Sequence, residues 1–182
     1  MNWKEHLIEL EHRKDYKLAV ELIQKVIKDN PDDVEAYIRA IYLLHNILVE
    51  EDYPELEHDF LASLLKSYFD ISYLKFSNNP EYSFFIGKIL YIAEWYFGVD
   101  DDFKPTEEKQ AFQMQKMAHE IEKDNVLYEW AYRFSLGEKL ASHLAEQILS
   151  QNKSKLEWLK SKGFPGEYIL EALEQSREQQ SL

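Results

Sequence analysis

The sequence predicts an all-α fold: one domain over residues 1–182, built as an array of antiparallel helical hairpins. Three observations carry this expectation. Apolar residues recur at i, i+3, i+4 and i+7 along most of the chain. No segment alternates polar and apolar residues with β-branched enrichment. Only five Gly and five Pro occur in 182 residues, too few for a turn-rich sandwich or barrel. A chain of this length buries about 70% of its unfolded surface, so it needs no disulfide or metal to fold; with no cysteine, it has no thiol for either.

The elements follow in order. The first expected helix spans 2–12. Tyr16, Ala19, Val20, Ile23, Val26 and Ile27 predict one over 15–29, with Asp15 as N-cap. Asn30 and Pro31, followed by acidic Asp32 and Asp33, open a helix over 32–49 on the stripe Val34, Tyr37, Ile38, Ile41, Leu44 and Leu48. Asp52 is the N-cap candidate for 54–77, where Leu56, Phe60, Leu61, Leu64, Leu65 and Tyr68 form the stripe. Asn79, Pro80 and Glu81 repeat the start signal for 80–97, with Phe85, Ile89, Ile92, Ala93 and Tyr96 facing inward. The acidic stretch 99–104 is a longer loop. Ala111, Met114, Met117, Ala118 and Ile121 make a weaker stripe in 105–123; helices over 125–135, 138–151, 154–162 and 166–179 complete the chain. Gly98, Gly137 and Gly163 fall where stripes end and read as C-terminal caps. Short connections make chain neighbours pack as hairpins.

Self-similarity adds a more specific expectation. Trp3, Leu10, Asp15, Tyr16, Ala19, Ile23, Val26 and Pro31 stand at the spacings of a tetratricopeptide repeat, which residues 3–31 resemble. A small residue at Ala19 lets two helices approach closely. Tyr37, Ala40 and Leu44 continue the pattern, and Asp52 and Tyr53 arrive three residues late. The closing Pro belongs at Tyr68 and appears at Pro80, twelve residues on, so this unit's second helix is about three turns longer than the family's. The resemblance is clearest over residues 3–53 and degenerate afterwards. It implies a right-handed superhelix of hairpins over 1–151, with a capping pair of helices over 152–182. The competing fold is a generic right-handed α-α stack or an irregular helical bundle. The segment Gly163, Phe164, Pro165 and Gly166 also resembles the Gly-Phe loop of ubiquitin-associated domains, but those need three helices and two fit here. A cap formed by Trp158, Leu159, Phe164, Ile169 and Leu173 is the simpler reading.

What the repeat resemblance implies about function is a concave face, lined by first-helix residues, that binds a peptide or protein. Carried over, these positions are Lys4, Ile8, Glu35, Ile38, Arg39, Tyr42 and His45. Ordinary packing is the competing reading of Ile8, Ile38 and Tyr42. The subfamily that grips C-terminal carboxylates needs Asn where Ile8 stands, so that activity is not expected. Net charge is −13, from 34 acidic and 21 basic residues. That disfavours nucleic acid and anionic lipid and fits a basic partner, or solubility alone. An inhibitor of a basic toxin, of the immunity-protein kind, is one concrete version. A homodimer through an unpaired terminal unit is also open. No apolar run approaches a membrane span and no signal-peptide pattern precedes the first helix, so a cytoplasmic location is expected.

The search for chemistry returns little. No phosphate-binding loop, dinucleotide fingerprint or nucleophile elbow occurs. The strongest enzyme candidate is His58 and Asp59, which resemble the pair of all-α HD-type phosphohydrolases. His45, with Asp100, Asp101, Asp102 or Asp124, would complete such a metal set. His45 and His58 are only thirteen residues apart, short for ligands on separate helices, and helix-start acidity explains Asp59 equally well. The acidic runs lack the alternating ligands and central Gly of a Ca²⁺ loop and read as solvated. Most aromatics fall in apolar stripes, with Tyr53, Tyr82 and Tyr128 as candidate surface anchors. The expectation is therefore a non-catalytic protein with no cofactor and no metal.

Overall fold

A computed structural model describes residues 2–51 and 55–178. Within these residues the chain is helical, with no strand. The helices are α1 (Trp3–His12), α2 (Tyr16–Asp29), α3 (Val34–Glu50), α4 (Glu55–Phe76), α5 (Pro80–Ile89), α6 (Gln110–Ile121), α7 (Val126–Ser135), α8 (Leu140–Gln151), α9 (Lys153–Lys160) and α10 (Phe164–Glu178). Short 3₁₀ turns occupy Glu94–Phe97 and Thr106–Glu108. The expected N-cap Asp52, the Tyr53 beside it and the side chain of Leu56 lie outside the described residues.

The helix boundaries follow local chemistry. Helix α1 ends in a Schellman motif: the Lys14 N–H donates to Glu11 O at 3.0 Å and the Asp15 N–H to Leu10 O at 3.0 Å. Lys14 takes the left-handed conformation (φ 55°) that glycine usually fills. Gly137 does the same after α7, with φ 67° and bonds from Gly137 and Glu138 back to Phe134 and Arg133. Asn79 caps α5 as expected, its Oδ1 accepting from the Tyr82 N–H at 3.0 Å with Pro80 in the first turn. The start of α3 differs. Pro31 and Asp32 form a turn, and Asp33 is the cap, accepting from the Glu35 and Ala36 amides at 3.0 and 3.2 Å.

Helix α3 organises the core. From Ala36 to Leu48 every residue except Asn46 is buried. Such a segment needs neighbours on all sides, and α3 touches α2, α4, α5 and α10. Chain neighbours also pack together, notably α1 on α2, α6 on α7 and α7 on α8. Helix α6 lies against α5 at Gly87, where an added Cβ would come within 2.5 Å of Gln115 Nε2 and 3.1 Å of the Ala111 carbonyl. Gln115 uses that proximity to donate to Phe84 O at 2.9 Å.

One helix is shorter than the periodicity predicts. The expected 80–97 helix stops at Ile89; Ala93 adopts φ 45°, ψ 45°, and Glu94–Phe97 turns back onto α4. The cause is a tertiary contact. Phe97 inserts between Phe69, edge-on at 5.2 Å, and His45, stacked at 6.1 Å. A straight helix would give that buried place up.

The C-terminal pair does more than cap the last helix. Helix α10 begins at Phe164, two residues before the expected start, and packs on α8, α9 and α3. Leu159, Ile169 and Leu173 are fully buried, with Trp158 and Phe164 partly so. Trp130 joins them, its Nε1 donating to Ser176 Oγ at 3.3 Å.

Candidate functional site

The seven residues assigned to the candidate face lie together, and α9–α10 rests on them. Lys4 of α1 donates to Glu35 Oε2 of α3 at 2.5 Å. Arg39, one turn on, donates to Glu35 Oε1 from Nε (3.0 Å) and Nη2 (2.8 Å). Its Nη2 also reaches the Ser161 carbonyl at 2.6 Å. Lys162 closes the network, at 3.2 Å from Glu35 and 2.7 Å from Glu81 of α5. Trp3 covers the cations, with Lys4 and Arg39 5.6 and 5.7 Å from its ring centre. Burial alone would raise the Glu35 carboxyl; the Lys4 hydrogen bond and the Lys162 and Arg39 charges outweigh it and hold Glu35 at about 2.

Ile8 lies against Gly163, where a Cβ would come within 3.1 Å of its Cγ1. Ile38 is buried. Tyr42 donates to Phe85 O at 2.7 Å and meets the Tyr168 ring at 5.7 Å. Burial pushes its phenol well up, and pulls the His45 imidazole down to about 4, so His45 is neutral at physiological pH. Most of this face is thus filled by the chain's own C-terminal helices.

What stays open is a cleft of about 420 Å³ between α3 and α10. Tyr42 and His45 form part of its lining, with Tyr168 opposite. Glu50 of α3 and Glu167 and Glu171 of α10 supply three carboxylates. Helical spacing explains the convergence: Tyr42, Asn46 and Glu50 stand four apart on α3, and Phe164, Glu167, Tyr168 and Glu171 share one side of α10. The cleft offers aromatic walls and acceptor oxygens, a lining suited to a cationic side chain.

Other candidates sit elsewhere. His58 is 3.4 Å from Asp59 and 3.0 Å from the Tyr96 hydroxyl, while His45 stacks on Phe97. Among the described residues no group of three or more His, Asp or Glu is placed to hold a metal. The Asp100–Asp102 run is not simply solvated: Asp101 is buried, accepting from the Gln110 N–H at the start of α6 and from Lys104, both at 2.5 Å. Tyr82 and Tyr128, expected as surface anchors, are buried. Tyr82 bonds Ser72 at 2.7 Å, and Tyr128 packs 5.0 Å from the Phe84 ring. Tyr53 lies outside the described residues. Among the described residues the exposed aromatics are instead Phe60, Tyr91, Trp95 and Phe103.

Sequence reading missed Glu11, Lys88 and Lys162, all buried. A signal existed for the first, since Leu7, Leu10 and Glu11 share an i, i+3, i+4 stripe that should be wholly apolar. Lys88 likewise interrupts the apolar run of α5. No protein-family model matches the chain, and comparison with curated proteins and with solved structures gives no match. No helix among the described residues is long and apolar enough to cross a membrane.

Proposed function

We propose that this chain is a non-catalytic interaction module of tetratricopeptide-like type. Its antiparallel hairpins would present the α3–α10 cleft to a basic segment of a peptide or protein partner. The observation that carries this reading is the lining of that cleft: Tyr42 and His45, from the face the repeat resemblance singles out, stand with three glutamates. A lysine or arginine entering it would meet oxygen acceptors and ring faces together. The chain's charge of −13 would speed encounter with such a partner and make association sensitive to salt.

The same lining and charge are compatible with a narrower version in which the partner is a basic toxin or enzyme that the chain neutralises. Cytoplasmic residence belongs to this proposal.

The test is affinity capture from the native host, followed by binding measurements with the captured partner. Glu50→Lys together with Glu171→Lys should weaken binding at least tenfold while the far-ultraviolet circular dichroism stays unchanged. Binding indifferent to both reversals, in a folded variant, would remove the cleft from the interface.

A further inference from the structure

Helix α4 carries two apolar sides. One faces the core through Leu61, Leu65, Phe69 and Ser72, all buried. The other runs Phe60, Leu64, Ser67, Ile71, Leu74, alternating steps of four and three, the spacing of a coiled-coil seam. Along it Phe60 is 55%, Ile71 41% and Leu74 85% exposed. Next to the Phe60 end lies a groove of about 650 Å³ between α2 and α4, lined by apolar Val20, Ile47 and Leu61 and rimmed by the charges of Lys14, Asp15, Lys17, Glu21 and Glu51. Scattered single apolar residues on a surface need no explanation; a continuous seam beside a groove does.

Charge distribution identifies the occupant. The chain as a whole carries −13, yet the seam segment, residues 60–74, holds one acidic residue (Asp70) and one basic one (Lys66), which cancel; Glu55, Glu57 and Asp59 precede it in α4 and Lys75 follows it. This is a side on which two copies can meet with less repulsion than the chain's overall charge would impose. The order of groups is also self-complementary. In an antiparallel, two-fold packing centred near Ser67, the Phe60 end of one seam meets the Leu74 end of the other. The small serine side chain at the crossing lets the backbones approach. Lys66 and Asp70, now paired within one helix at 2.7 Å, lie on either side of the centre. Each can therefore pair across the two-fold with its counterpart in the second copy.

We infer that α4 is the contact surface of a symmetric homodimer, in which the Phe60–Leu74 seams of two copies pack antiparallel and each enters the α2–α4 groove of the other. A two-fold interface must use the same patch on both copies, and this patch meets that requirement by its own sequence order. The inference does not depend on the α3–α10 cleft.

Sedimentation velocity of the full chain across a concentration series tests it. The expected result is a dimer that dissociates on dilution. Leu74→Glu, at a side chain with almost no contacts to lose, should weaken dimerisation at least tenfold without changing the thermal melt. Lys66→Glu should weaken it by setting carboxylate against carboxylate across the two-fold. Adding Asp70→Lys to Lys66→Glu should restore the wild-type value. A wild-type chain that stays monomeric at high micromolar concentration overturns the inference. So does a dimer that survives Leu74→Glu, since its contact would lie elsewhere.

Discussion

The Arg39 guanidinium, fully buried in α3, donates from Nη2 to the backbone carbonyl of Ser161 at 2.6 Å. The two residues stand 122 positions apart. The same group also binds Glu35 twice, so the contact to the C-terminal pair is made from a side chain already fixed on α3. Arg39→Met should destabilise the chain by about 3 kcal/mol, since Glu35 and the Ser161 carbonyl lose a buried partner. Urea unfolding would measure this. Limited proteolysis should cut first near residue 160. A loss below about 1 kcal/mol would mean that Lys4 and Lys162 alone carry Glu35.

Glu35 makes the same closure pH-dependent. Its folded-state value of about 2 lies below the ordinary 4.5. Its stabilising contribution is therefore fully present above pH 4.5 and lost as pH falls toward 2. The linked loss is on the order of 3 kcal/mol. Melting temperatures taken from pH 6 down to pH 2 should fall in the wild type, and fall less in Glu35→Gln. Parallel curves for the two proteins would show that another carboxylate is responsible.

Two glycines should respond very differently to alanine. At Gly166 a Cβ would stand 1.7 Å from the Leu159 carbonyl oxygen, a backbone atom that cannot step aside. Gly166→Ala should cost more than about 3 kcal/mol by forcing α9 and α10 apart. Gly137 has a left-handed backbone and nothing within 4 Å of an added Cβ, so Gly137→Ala should cost only about 1 kcal/mol of backbone strain. Thermal melts of the two variants, side by side, decide the matter; equal losses would be incompatible with this packing.

Lys88 is buried with its ammonium 3.9 Å from the Phe134 ring centre and 4.6 Å from that of Trp130. Burial pulls its amine from 10.5 to about 7, so desolvation outweighs the ring attraction, worth about 2 kcal/mol in such a site. The folded state holds the proton less tightly than the unfolded state, so stability should climb as pH rises from 7 to 10.5. Lys88→Met should stabilise the chain by about 1–2 kcal/mol near pH 7, with the gain shrinking by pH 10. Chemical denaturation at the two pH values reads it directly; a variant less stable at pH 7 would contradict it.

Helices were legible in the sequence where their causes are local. Asn79 and Pro80 announce α5 because a cap and a fixed φ act within one turn. The stripe of α2 reads clearly because only one side of that helix is covered. Where a cause is distant, local reading falters. At the start of α3, both Asn30 and Asp33 can cap, and the choice depends on the turn at Pro31. The 80–97 stripe continues unbroken through Ala93, but the place vacated between Phe69 and His45 draws Phe97 out of the helical path. The candidate site shows the same division. Residues on one helix, such as Tyr42, His45 and Glu50, could be grouped from spacing. Nothing in spacing says that Glu167 and Glu171 arrive opposite them, or that Lys162 reaches Glu35, because the C-terminal helices meet α3 only through tertiary packing. Glu11 and Lys88 stood in apolar stripes as visible irregularities, and irregularity was the one local sign that they are buried.

The Arg39–Ser161 bond also sets an order of events during synthesis. Residues 3–50 leave the ribosome first, with the Arg39 and Glu35 side chains complete and the surface that will cover them still untranslated. Until Ser161, Lys162 and the first turns of α10 emerge, that surface is open to water. The N-terminal helices therefore reach their final burial only after the C-terminal pair has been made. A chain halted anywhere before residue 161 leaves that face uncovered.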